Sequence, residues 1–101
     1  MPSVAVDNLQ QTAIAFLTSS STTYESAAYT AKSSGAASYQ PAQIFLAGNC
    51  TRPSGSTRLQ TGDYTGAQTN TDFSSFWLTG EAARLIGGTC QWGTQIIQAV
   101  P

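Results

Sequence analysis

The chain holds two cysteines, Cys50 and Cys90, and no other feature limits its fold as tightly. An even cysteine count in a small, Ser/Thr-rich chain suits a disulfide made in an oxidising compartment. A bridge between the two closes a long loop and, by restricting the unfolded chain, contributes roughly 4 kcal/mol. That is a large share of the net stability of a domain of this size. The competing reading is a pair of buried free thiols, because unpaired cysteine packs as a small hydrophobe. A chain of 101 residues has room for one core and not two, so residues 1–101 are expected to form a single domain.

What wets the surface of this domain is not charge. Charged residues make up 9% of the chain, against roughly 25% in typical soluble proteins, while apolar residues make up 41%. Twelve Ser, fourteen Thr and nine Gln supply hydroxyls and amides instead. A net charge of −1 gives neither repulsion between copies nor attraction to polyions, so dense self-packing is electrostatically permitted. The four basic residues, Lys32, Arg52, Arg58 and Arg84, form no phosphate-neutralising patch, and no nucleic-acid partner is expected. The sequence shows no basic start followed by an apolar run and no eighteen-residue apolar stretch, so neither a signal peptide nor membrane insertion is expected. Export then requires a signal removed earlier or another route, such as release of a particle by lysis.

The local patterns point to an α+β chain: an N-terminal helical region followed by a small antiparallel sheet stapled by the disulfide. Val6, Leu9, Ala13, Phe16 and Leu17 recur at spacings of three and four, and Asp7 with Gln10 resembles a capping box, so a helix is expected over about 8–18. The rival there is a buried strand over residues 12–18. Thr22 with Glu25, then Ala27, Ala28 and Ala31 and a stop at Gly35, predict a second helix over 23–33. The run 43–47, ended by Gly48 and Asn49, reads as a core strand. Residues 51–71 read as loop with one edge strand at most. Thr79 is expected to cap a short helix over 80–86 that stops at Gly87-Gly88. Residues 89–100 read as a strand broken at Gly93, and pairing it with 43–47 would bring Cys90 to Cys50. An all-β sandwich is the alternative architecture, favoured by the Thr content and frequent turn signals.

The chemistry available is sparse. No histidine is present, which removes the commonest general base, the Ser-His and Cys-His nucleophile pairs and the commonest metal ligand. No metal and no cofactor are expected, since nothing has ligand or phosphate-loop spacing. Asp72 with Glu81 would be the pair for glycoside hydrolysis. Asp7, Glu25 and Glu81 are better explained by proposed helix starts, where negative charge offsets the macrodipole, and Asp63 and Asp72 by turns rather than weak Ca²⁺ binding. Asn49-Cys50-Thr51 matches the N-glycosylation acceptor, a pattern short enough to arise by chance. Tyr64, Trp77 and Trp92 could form an aromatic platform for sugar rings. The core reading of Trp77 is favoured, because it sits among Phe73, Phe76 and Leu78. Arg52 and Arg58 could pair with Asp63 or with a partner's carboxylate.

Two functions follow as expectations. The first is a non-catalytic structural subunit of an extracellular assembly, a virion coat, tail or decoration protein or a fimbrial, pilin-like subunit, whose partners are further copies of itself or other subunits. The second is a secreted, adhesin-like module that binds carbohydrate or a host protein through the 51–71 loop and the aromatics around Trp77. In either case the chain works outside the cell, on its surface or in a virion, and is not an enzyme.

Overall fold

The computed structural model describes residues 2–51, 65–72 and 74–101 and contains seven strands and no helix among them. These are β1 (Ser3–Val6), β2 (Thr12–Ser20), β3 (Thr23–Lys32), β4 (Gln43–Leu46), β5 (Gly66–Thr69), β6 (Phe76–Ile86) and β7 (Thr89–Ala99). They form two antiparallel sheets, a four-stranded meander β1-β2-β3-β4 and a three-stranded meander β5-β6-β7. The sheets pack through β3 on β6, β2 on β6 and β1 on β5. The architecture is the two-layer β arrangement that the sequence offered as its alternative, and the N-terminal helical α+β reading is overturned.

Each misread helix fails for a local reason. Over 8–18, β2 is apolar on both faces: Ala13 and Ala15 point into the core, while Ile14 and Phe16 face outward. A strand without inside–outside alternation shows no period of two, and chance spacings of three and four then resemble a helix. Asp7 does bond to backbone amides as a helix cap would, but the amides are those of Leu9 and Gln11 in the β1–β2 turn, both 2.9 Å from Oδ1. Gln11 adds its side-chain amide to Oδ2 at 2.8 Å. Over 23–33 the alanines line an intersheet space, not a helix face: Ala27 and Ala31 face inward and Ala28 outward, between Phe16 and Ile44. Over 80–86 the expected stop, Gly87-Gly88, is the two-residue loop of the β6–β7 hairpin, with φ of 60° and 83°. Two positive φ angles match the twist of the flanking strands, and glycine adopts them without strain.

The core is shallow and built largely of alanine. Ala5, Ala13, Ala15, Ala31 and Ala99 surround Phe76 and Leu78, with Tyr29, Ala67 and Ile97 packed against them. Bulk comes mostly from one layer and is met by methyl groups from the other. Where β6 passes β3 and β4, a Cβ added to Gly80 would lie 2.7 Å from that of Ala27 and 2.8 Å from the ring of Phe45.

The strand expected over 43–47 is present as β4, but it pairs with β3 and not with the C-terminal strand. Beyond it the chain leaves the first sheet and reaches the second: the Asn49 amide donates to the Ala83 carbonyl at 2.9 Å, and Asn49 Oδ1 accepts from the Leu85 amide at 2.7 Å. Arg84 reinforces this crossing by donating to the Ala47 carbonyl. Cys50 then meets Cys90 in a disulfide, with Cα atoms 5.9 Å apart, so the bridge links the chain leaving the first sheet to β7 of the second. Gly93 does not break β7, whose register with β6 runs without a shift from Thr89 to Ala99.

Candidate interaction surface

Register fixes which side chains each sheet turns outward. On the four-stranded sheet Val4 lies opposite Ile14, and Phe16 lies opposite Ala28, which lies opposite Ile44. Val4, Val6 and Ile44 are exposed. On the three-stranded sheet the outward row of β6 is Trp77, Thr79, Glu81, Ala83 and Leu85, and that of β7 is Cys90, Trp92, Thr94, Ile96 and Gln98. Trp77, Leu85 and Ile96 are exposed, Ile96 to 66%. Across both outward faces the charged residues are Lys32 and the buried Glu81. Isolated exposed hydrophobics are ordinary on any protein; here they stand on both faces with almost no charge among them, although Ala28, Glu81 and Ala83 of the same outward rows are buried.

The candidate ligand-contact residues are partly separated by this geometry. Trp77 is not core: Phe76 and Leu78 take the inward positions, and alternation turns Trp77 out, 43% exposed, between Gln68 and Gln98. Trp92 shares the same face, half-buried, but pairs with Ala83, six positions along β6 from Trp77. At ~3.4 Å per residue their backbone positions stand about 20 Å apart along the sheet, too far for one sugar ring to sit over both. Tyr64, Arg52 and Arg58 lie outside the described residues, as does Asp63.

The acidic residues also take other places than expected. Glu81 is a buried residue within β6, not a helix start, and Asp72 lies in the exposed β5–β6 turn. Asp72 accepts from the Ser74 amide at 3.0 Å and from the Ser75 hydroxyl. Chiefly the Ser74 amide holds its carboxyl below the usual aspartate range. Among the described residues no three His, Cys, Asp or Glu side chains converge as a metal site would require, and no helix is long and apolar enough to cross a membrane.

Two adjoining clefts open at the β2–β3 hairpin, one of about 220 Å³ lined by Ser19, Ser20, Thr23, Tyr24, Glu25 and Cys50 and one of about 370 Å³ beside Ser21 and Thr22. Their polar groups are hydroxyls and one carboxylate, whose Oε2 is buried without a hydrogen-bond donor. Such a lining can accept and donate hydrogen bonds. No protein-family model, curated protein or solved structure matches the chain.

Proposed function

We propose that the chain is a non-catalytic structural subunit of an extracellular assembly, a virion coat, tail or decoration protein or a fimbrial subunit, which packs against further copies of itself or other subunits. The observation that carries this reading is the apolar, nearly uncharged character of both outward faces, from Val4, Val6 and Ile44 on one to Trp77, Leu85 and Ile96 on the other. A subunit that is enclosed by neighbours needs two or more such faces, and one that floats free gains nothing from them. The disulfide suits an oxidising location. Light scattering on the purified protein across a concentration series tests the reading. The expected outcome is a mass well above 10.6 kDa that grows with concentration, with shells or filaments by electron microscopy. A mass fixed at one chain would overturn it.

A second reading, the secreted carbohydrate- or host-protein-binding module, is favoured by one feature: Trp77 stands exposed between the amides of Gln68 and Gln98. An indole flanked by amides offers a stacking face with hydrogen-bonding groups at its rim. Quenching of tryptophan fluorescence by added glycans, lost on Trp77→Ala, supports this reading, and no quenching across a glycan panel removes its carbohydrate form.

A further inference from the structure

We propose that β7 is the edge through which two copies associate, their β7 strands pairing antiparallel about a two-fold axis at Thr94 and joining two three-stranded sheets into one of six strands. This deepens the assembly-subunit reading above and rests on it.

An open edge strand is a template for another strand, and proteins that stay monomeric blunt such edges by shortness, charge, proline or bulges. The other edges, β1, β4 and β5, are four residues each. β7 is eleven residues long, contains no charged residue and no proline, and follows β6 without a bulge. No described strand lies on its other side. By contrast the register slips within β2–β3 and again within β3–β4.

Which backbone groups β7 offers can be worked out from two independent observations. The hairpin closes through Gly87-Gly88, so the flanking pair Ile86 and Thr89 exchanges hydrogen bonds, and every second pair does so thereafter. Ala83 and Leu85, of the opposite parity on β6, turn their carbonyl and amide to Asn49 instead, as this alternation requires. On β7 the odd-numbered residues Gln91, Gly93, Gln95 and Ile97 therefore bond to β6. Cys90, Trp92, Thr94, Ile96 and Gln98 point their amides and carbonyls away from β6, to the side on which no described strand lies.

Thr94 is the midpoint of Thr89–Ala99, so an axis there pairs the full strand and sets outward-pointing groups against outward-pointing groups. Thr94 then meets Thr94 of the second copy, Trp92 meets Ile96, and Cys90 meets Gln98. Threonine pairs and aromatic–β-branched pairs are among the favourable cross-strand neighbours, and no like charges face one another. An axis shifted by two residues to Ile96 leaves four residues of each strand without a partner in the other. The self-complementary strand is what commits this edge to a second copy of the chain rather than to a foreign one.

Residue-resolved amide exchange, at dilute and at associating concentrations, tests the pairing. Association is expected to protect the amides of Trp92, Thr94 and Ile96 at least about tenfold, while those of Gly93 and Gln95, bonded to β6 already, change little. Thr94→Lys sets two ammonium groups face to face at the axis and is expected to weaken association at least about tenfold. Ser38→Lys, in the exposed connection between β3 and β4, is expected to leave the β7 protection pattern in place. Near-UV circular dichroism matched to the wild type establishes that each variant is folded. Wild-type protein that stays at the mass of one chain overturns the assembly reading and this pairing together. Wild-type protein that associates, yet gains no alternating protection in β7 and tolerates Thr94→Lys, overturns this pairing alone.

Discussion

The molecule contains two long antiparallel hairpins with opposite surroundings. β2–β3 is flanked on both sides, by β1 and β4, whereas among the described residues β6–β7 is flanked by β5 on one side only. The flanked hairpin is held by local turn chemistry: Asp7 ties β1 to β2, and Ser20 accepts the Thr22 amide at the β2–β3 turn. The half-flanked hairpin has a plain Gly-Gly turn and is fastened from outside by Asn49, Arg84 and the disulfide. A sheet with spare edge needs a strong tether elsewhere if that edge is to stay available without fraying.

If the tether carries that much, removing it has the largest effect. Replacing both cysteines, Cys50→Ser with Cys90→Ser, is expected to lower unfolding free energy by about 4 kcal/mol, read from urea denaturation. Exchange protection should fall first in β6–β7 and last in β2–β3; equal losses would show that the two hairpins are fastened alike. Next comes the chemistry of the other sheet. Asp7→Ala leaves the Leu9 and Gln11 amides without their carboxylate acceptor, in a turn open enough for water to replace part of it, and is expected to cost about 2 kcal/mol. Asp7→Asn, which keeps Oδ1 as an acceptor, should recover most of it.

Between the two sheets, the close approach at Gly80 leaves no room for a methyl group against Ala27 and Phe45. Gly80→Ala is therefore expected to cost about 2 kcal/mol by overpacking, although alanine suits a strand better than glycine. Pairing it with Ala27→Gly, which removes the facing methyl, should return part of the loss in a double-mutant cycle.

The parts of the fold legible in the sequence were those whose signals have one structural meaning. β4 was read from a short apolar run between turn residues, β7 from its loose alternation, and the Cys50–Cys90 bridge from cysteine count and composition. The N-terminal half was not, because its signals have two meanings. An aspartate carboxylate accepts amides in a helix cap and in a hairpin turn alike, as Asp7 does here. Alanine favours helices, yet Ala27 occupies a strand where the second sheet comes close at Gly80, and Ala31 one where it is buried in the core. Of the candidate surface, the indole of Trp77 was named, but simple alternation between Phe76 and Leu78 would have turned it outward, and the cluster of aromatics concealed that period. The open edge at β7 was not legible, since an edge is a property of strand order, and strand order is set by contacts between distant segments.

The smallest expected effect lies at the β5–β6 turn, where side chains reinforce a backbone bond from the Asn70 amide to the Ser75 carbonyl. Asp72 there accepts from Ser74 and Ser75, and Ser75 in turn accepts from Asn70 and from Gln98 of β7. The Ser74 amide foremost, with the serine hydroxyls, draws the folded carboxyl below its unfolded value, against a smaller opposing contribution from desolvation. A depressed carboxylate stabilises fully above the unfolded aspartate range and loses that contribution as pH falls through the folded value. Thermal melts taken from about pH 6 down to about pH 2.5 should therefore show a modest acid-side loss that Asp72→Asn reduces. Because the group is exposed, added salt should shrink the difference further. If Asp72→Asn leaves the acid slope unchanged, the turn is held by Asn70 and Ser75 without help from charge. The contrast between the sheets would then sharpen, with every strong fastening of β6–β7 lying at its disulfide end.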